Sequence, residues 1–151
     1  MTEAIWNVPI HRMDAATARH RVLIQHERIR ALLSQAREIA ERALDQVPQP
    51  PDAVASAIGD IHATLEVHLR FEEEVLVGFL EGDRPLGPAR AARLRDEHAH
   101  QRAMLARIHD EARTGPFVPT LAAKLAFLAN WLIDDMAEEE RDLLTPEVVH
   151  D

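Results

Sequence analysis

Four long stretches of the chain repeat apolar residues every three to four positions, which is the period of an amphipathic α-helix. They run over about residues 14–46, 52–81, 89–113 and 119–144. Segments that contain proline or glycine separate them at about 47–51, 82–88 and 114–119, and Asp52 is placed to cap the second helix. Helices of this length joined by short turns predict an all-α fold, an up-down-up-down antiparallel four-helix bundle.

The pattern divides the chain into three parts. Residues 1–13 are an N-terminal arm, whose Trp6, Val8 and Ile10 can cover one end of the bundle. Residues 14–146 form the bundle, and residues 147–151 form a C-terminal tail. The alternation typical of β-strands is missing from the bundle segment, so we expect no strand of four or more residues there.

Polar residues interrupt the apolar stripe of every predicted helix. His68 and Glu72, for example, lie one turn apart on the inner face of the second helix. Buried imidazoles and carboxylates are costly unless something pairs them, and a metal ion can satisfy both. Carboxylates without a cation would also repel one another. The predicted ligands are His26, His68, Glu72, His98, Asp135 and Glu139.

These residues lie at matching distances along the helices from the turns that join them. His26 and Glu72 each lie about 23 residues from the first turn, and His98 and Asp135 each lie about 18.5 residues from the third. At ~1.5 Å of rise per residue, such pairs meet at one level of an antiparallel bundle. This coincidence favours a shared metal site over separate, hydrogen-bonded core residues.

Composition excludes several other classes of protein. The chain has no cysteine, which rules out disulfides, thiolate metal sites and a cysteine nucleophile. The formal net charge of -9 argues against nucleic acid or an anionic membrane as the main partner. No apolar run approaches the ~18 residues of a membrane span. The first residues lack the pattern of a signal peptide, so a cytoplasmic protein is expected.

Taken together, these motifs resemble the hemerythrin-like (HHE cation-binding) family. The resemblance spans about residues 14–146 and implies a four-helix bundle with a non-haem, usually di-iron, site bridged by oxygen and carboxylates. It implies four terminal ligands, His26, His68, His98 and Asp135, and two bridging carboxylates, Glu72 and Glu139. The matching pieces are Gln25-His26-Glu27-Arg28-Ile29, His68-Leu69-Arg70-Phe71-Glu72-Glu73, Glu97-His98, and Asp135-Met136-Ala137-Glu138-Glu139-Glu140 followed by Leu143-Leu144-Thr145-Pro146.

The chain departs from oxygen-carrying hemerythrins on its third and fourth helices. Those proteins have a second histidine four residues after the first on the third helix, where this chain has Arg102. They also have a histidine on the fourth helix, where this chain has Asp135. The resulting ligand set is richer in oxygen, which suits Fe(III) or Mn and weakens the case for reversible oxygen carriage.

The fourth helix allows a second register. If the fourth helix is aligned with the family motif by its Pro146, the ligand positions become Met136 and Glu140 instead of Asp135 and Glu139. We prefer Glu139, because it lies near the centre of the apolar stripe and Glu140 is rotated by a further ~100°. We expect Glu140 to be largely exposed.

Three functions fit these residues. The first is a protein with a di-iron site, or one of Mn or Zn, that binds or responds to O₂, peroxide, NO or iron, by redox chemistry if it is an enzyme. The second is an iron-sensing or iron-donating module that acts through an unidentified protein partner. The third is a helical bundle whose degenerate site holds zinc, one metal or none. Arg102 supports this interpretation, because its guanidinium would replace a cation electrostatically if it turned inward.

Overall fold

The computed structural model describes residues 13–83 and 85–151, which form four helical segments and no β-strand. The first, third and fourth segments are α1 (Ala15–Leu44), α4 (Gly87–Thr114) and α5 (Pro119–Asp142). The second is continuous and consists of α2 (Pro51–Phe71), a π-helical turn (Glu72–Leu76) and α3 (Val77–Gly82). The predicted all-α class is confirmed, and the three breaks lie where they were predicted. Trp6, Val8 and Ile10 of the predicted arm lie outside the described residues.

The first two helices begin in different ways. Asp14 caps α1, since its side chain accepts a hydrogen bond from the backbone N–H of Thr17 at 2.7 Å. The expectation that Asp52 caps α2 is wrong. That helix begins one residue earlier, at Pro51, whose fixed φ suits the first helical position, and Asp52 lies within the first turn.

Apolar side chains between the helices form two separate clusters. α1 packs against α2 and α5, while α4 packs against α2, α3 and α5. The large cluster includes Leu33, Ile58, Leu105 and Leu125. The small cluster lies at the other end of the helices and includes Val22, Leu76, Leu94 and Val149. None of the helices in the described part of the chain combines the length and hydropathy that a bilayer span requires.

The predicted C-terminal tail packs against the start of α1. Val148 and Val149 are buried in the small cluster. The backbone N–H of Ala15 donates to Asp151 Oδ1 at 2.9 Å, and Arg19 donates to the backbone oxygen of Val149. The end of the chain therefore helps to close the small cluster.

A layer of buried polar residues separates the two clusters. Along α1, His26 lies between Val22 of the small cluster and Ile29 of the large one. Along α4, His98 lies between Leu94 and Leu105 in the same way. The members of this polar layer are His26, His68, Glu72, His98, Gln101 and Glu139.

Candidate metal centre

The carboxylate of Glu72 is at the middle of the polar layer. Its Oε1 lies 2.9 Å from His68 Nε2 and 3.6 Å from His26 Nε2. Its Oε2 accepts a hydrogen bond from His98 Nε2 at 2.9 Å. Glu139 reaches the same point from α5, with its Oε1 3.4 Å from His26 Nε2. Side chains from all four helical segments therefore converge on one carboxylate.

Four of these residues could hold one cation between them. His26, His68, Glu72 and Glu139 are all buried, and each offers one ligand atom within 4.8 Å of the other three. Several of the atoms lack a hydrogen-bond partner among the described residues: both ring nitrogens of His26, Glu72 Oε1 and Glu139 Oε1. Buried polar atoms are nearly always paired, so the donor set fits a cation bound between these residues.

The two buried carboxylates differ in their affinity for protons. Burial alone would raise the pKa of Glu72, but the neighbouring His68 holds it well below its ordinary value. Burial raises the pKa of Glu139 well above its ordinary value, and repulsion from Glu72 adds to the effect. The opposite shifts mean that a proton on this pair favours Glu139, where it relieves the repulsion between two adjacent anions.

Each imidazole of the layer also faces an acceptor on its outer side. His68 Nδ1 lies 2.7 Å from Gln25 Oε1, and His98 Nδ1 lies 3.1 Å from Glu73 Oε1. His26 Nδ1 lies 3.5 Å from Glu140 Oε2. Outer partners of this kind fix the tautomer and orientation of metal-binding histidines.

Arginines hold both outer carboxylates in place. Arg102 donates to both oxygens of Glu73, at 2.6 and 2.9 Å, and it also donates to Glu66 at 2.9 Å. Arg30 binds both oxygens of Glu140. The guanidinium of Arg102 thus binds carboxylates at the edge of the layer. It does not occupy the centre, where it would have to lie in order to replace a cation.

Both ring nitrogens of His98 face carboxylate oxygens. Burial would lower the pKa of His98, but its hydrogen bonds to Glu72 and Glu73 raise it above the ordinary value. The ring can donate through both nitrogens only in its charged form. The two carboxylates therefore favour the charged form of His98.

Asp135 and His98 lie outside the group of four. Asp135 Oδ2 accepts a hydrogen bond from Gln101 Nε2 at 2.8 Å, and burial raises the pKa of Asp135. Asp135 still borders the same internal space, a cavity of about 10 Å³ that we call the inner cavity. Its polar lining comes from His68, Glu72, His98, Gln101, Asp135 and Glu139.

The two candidate registers of α5 differ in burial. The side chain of Glu139 is 6% exposed and belongs to the group of four, whereas that of Glu140 is 24% exposed. The expectation that Glu140 is largely exposed is wrong, because Arg30 and His26 hold it against α1. Met136 packs in the large cluster, and its thioether would be a soft ligand.

The π-helical turn at Glu72–Leu76 was not predicted. The backbone N–H of Val77 donates to the carbonyl of Glu72, five residues back, so this turn is wider than an α-helical one. Turns of this type are frequent at functional sites. The apolar pattern gives no sign of it, because the surrounding residues keep a helical period on both sides.

Sequence reasoning also missed the outer partners. Gln25 and Glu73 stand next to predicted ligands in the motifs, yet no function was assigned to either. The one available signal was Arg102, a cation at a position where a histidine was expected. Its charge required a nearby carboxylate, and Glu73 on the neighbouring helical segment supplies one.

The helices and the polar layer define a helical-bundle protein with a candidate cation site made of histidine and glutamate. A model of the hemerythrin HHE cation-binding domain matches residues 17–145. This match covers most of the chain, and the chain belongs to the hemerythrin HHE cation-binding domain family. No curated protein and no solved structure matches the chain. Family membership and the buried His–Glu group both indicate cation binding.

Proposed function

We propose that this chain is a non-haem iron protein that holds a di-iron centre in its polar layer and binds or responds to O₂, peroxide, NO or iron itself. One observation carries the proposal. Four buried side chains from three helical segments bring ligand atoms within 4.8 Å of one another, and several of those atoms have no other partner among the described residues.

The proposed ligands are the six predicted from the sequence. The group of four, His26, His68, Glu72 and Glu139, would hold the first ion. His98 and Asp135 would complete the centre from the far side of the inner cavity. For that, Asp135 has to give up its hydrogen bond to Gln101, and His98 has to lose a proton.

Mixed imidazole and carboxylate donors suit iron, with Mn and Zn as competitors. When bound, iron would supply one-electron redox chemistry and a coordination position for a small molecule. The surrounding side chains control what reaches that position. Ile29, Leu65 and Leu132 line the inner cavity, and its volume of about 10 Å³ limits occupants to roughly the size of one water molecule.

Binding of the cation displaces a proton from the layer. Glu139 is the favoured site of that proton, because burial and Glu72 raise its pKa. A cation held by the group of four would take the place of the proton as the positive partner of these carboxylates. We therefore expect proton release on metal binding, which calorimetry in buffers of different ionisation enthalpy can measure.

The antiparallel up-down-up-down order is part of the proposal. Support comes from the contacts between segments that are adjacent in sequence, together with the contact between α1 and α5. The short breaks between the helices also favour antiparallel neighbours.

Metal analysis of protein purified without chelator tests the proposal directly. We expect about two iron ions per chain and a visible charge-transfer absorption that changes between reduced and oxidised protein. An absence of bound metal after anaerobic incubation with Fe(II) would overturn it. Metal-dependent protease resistance without any redox change would favour the iron-sensing alternative.

A further inference from the structure

A cleft between α4 and α5 leads from the surface to the metal centre. Its volume is about 140 Å³, and we call it the outer cavity. Asp135 and Glu139 line both the outer and the inner cavity. The side chain of Glu139 is 6% exposed, and its Oε1 has no hydrogen-bond partner among the described residues. A single buried carboxylate thus connects the outer cavity with the group of four.

The outer cavity is acidic. Its lining contains five carboxyl groups and two guanidinium groups, those of Arg90 and Arg93, so the carboxylates remain in excess even when Glu139 holds a proton. Clefts lined by one sign of charge concentrate the opposite ion and accelerate its arrival. Glu97, Glu138 and Asp142 are the more exposed carboxylates of the lining, and Asp135 and Glu139 also reach the inner cavity.

Arg93 spans the cavity from one helix to the other. Its Nε donates to Glu97 Oε1 on α4 at 2.8 Å, and its Nη2 donates to Glu138 Oε1 on α5 at 3.3 Å. The side chain of Arg93 is 68% exposed, so these ion pairs are weak and exchange readily with water. In the bonded arrangement Arg93 neutralises two carboxylates that would otherwise attract a cation.

A larger groove near the centre suits a cation less well. It lies between α1 and α2, has a volume of about 310 Å³ and contains no carboxylate in its lining. Arg28 contributes a positive charge there. The groove reaches the polar layer at His68, whose Nδ1 is already bonded to Gln25.

We propose that the metal cation enters and leaves the centre through the outer cavity between α4 and α5. Glu97 and Glu138 attract it at the surface, Asp135 and Glu139 pass it inward, and Arg93 slows its passage. This inference rests on the proposed function, because it assumes that the polar layer holds a cation.

Charge reversal at the mouth of the cavity tests the route. We would measure the rate of Fe(II) loading under anaerobic conditions, and the rate of its withdrawal by a colorimetric ferrous chelator, in Glu97→Lys and Glu138→Lys. Loading should be slower by about tenfold at low salt in each variant. The difference should shrink at ~1 M salt, where the Debye length is about 3 Å. The matched control is Glu41→Lys, which replaces an exposed residue of α1. It changes the net charge equally and should leave both rates unchanged.

Removal of the arginine gives a change in the opposite direction. Arg93→Gln should accelerate both loading and withdrawal severalfold, because entry and exit share one path. The control is Arg113→Gln, an exposed arginine of the same helix paired with Asp110.

The outcomes separate the two levels of the proposal. If the wild-type chain binds Fe(II) fully and the cavity variants load at the wild-type rate, the route is wrong and the proposed function stands. The route is equally wrong if Arg28→Glu alone accelerates loading, since that result assigns entry to the α1/α2 groove. If the wild-type chain binds no cation, both proposals fail.

Discussion

The polar layer and the large apolar cluster are equally buried but differ in how their atoms are satisfied. His26 and Ile29 lie one turn apart on α1, with 0% and 1% of their surfaces exposed. Ile29 needs only apolar neighbours, and it has them in the large cluster. Neither ring nitrogen of His26 has a hydrogen-bond partner among the described residues. The large cluster thus has all its atoms satisfied by its neighbours, whereas the layer has buried polar atoms that a cation would satisfy.

The largest expected effect lies in the apolar cluster. Leu33→Ala removes a fully buried side chain and should lower the free energy of unfolding by about 3 kcal/mol. Because the cavity left behind does not depend on the layer, the loss should be the same in metal-loaded and chelator-treated protein. Denaturant unfolding of both forms measures it. A loss confined to one form would show that the stability of the large cluster depends on the metal state of the layer.

Removal of a polar group from the layer should raise the free energy of unfolding of the metal-free protein, whereas removal of an apolar group from the large cluster lowers it. Glu139→Leu replaces a buried carboxyl group, whose Oε1 has no hydrogen-bond partner among the described residues, with a side chain of similar size. It should stabilise the chelator-treated protein by about 2 kcal/mol. The same change should abolish stabilisation by metal. Thermal unfolding with and without Fe(II) measures both effects. The adjacent, exposed Glu138→Leu serves as the control and should change the stability of either form by less than about 0.5 kcal/mol. Destabilisation by Glu139→Leu would contradict the account of the layer.

Outer partners should have a smaller influence that acts on metal affinity. Arg102→Gln releases Glu73, which in turn orients His98, so the dissociation constant for Fe(II) should rise by about tenfold. Competition with a chelator of known affinity measures the change. Arg113→Gln removes an exposed arginine of the same helix and should leave the affinity unaltered. Equal affinities for wild type, Arg102→Gln and Arg113→Gln would show that the Arg102–Glu73 pair has no influence on metal binding.

The smallest expected effect is on the melting temperature, which should change with pH in opposite directions in the metal-free and the metal-loaded protein. Glu139 and His98 have folded pKa values above their ordinary ones, so the stability they contribute is present at low pH and is lost as pH rises through those values. Glu72, with a lowered pKa, loses its contribution only below about pH 4.5 and does not oppose them. The metal-free protein should therefore melt at a higher temperature, by roughly a few degrees, at pH 5 than at pH 8.

The metal-loaded protein should show the reverse trend. Protons compete with the cation for the histidines and carboxylates, so its melting temperature should fall between pH 8 and pH 5. Thermal scans across this range with and without chelator test both trends together. Parallel curves would contradict the assignment of the layer as a metal site.

The apolar pattern predicted much of this molecule because burial in a helical bundle follows the helical period. It gave the four segments, the breaks between them and the buried position of His26, His68, Glu72, His98 and Glu139. A stripe predicts which face is buried but not which buried groups touch. That Asp135 would bind Gln101, outside the group of four, was therefore beyond the pattern.

Other features were missed because they depend on neighbours from distant parts of the chain. Glu140 has the angular position of a surface residue, yet Arg30 of α1 draws it towards His26. The π-helical turn is a matter of backbone hydrogen bonding, which residue periodicity does not encode. Likewise, Arg102 was recognised as unusual at its position, but its partner Glu73 became clear only from the packing of α4.

Metal stoichiometry in two variants of neighbouring residues tests the central claim, that the buried layer holds the cation, most directly. Wild type, Glu139→Ala and Glu140→Ala would each be loaded anaerobically with Fe(II), freed of excess metal and analysed for iron per chain. We expect Glu139→Ala to lose half or all of the bound iron, because Glu139 belongs to the group of four. Glu140→Ala removes only the outer partner of His26 and should still bind the wild-type amount at saturating Fe(II). Loss of iron in Glu140→Ala with full retention in Glu139→Ala would contradict the central claim.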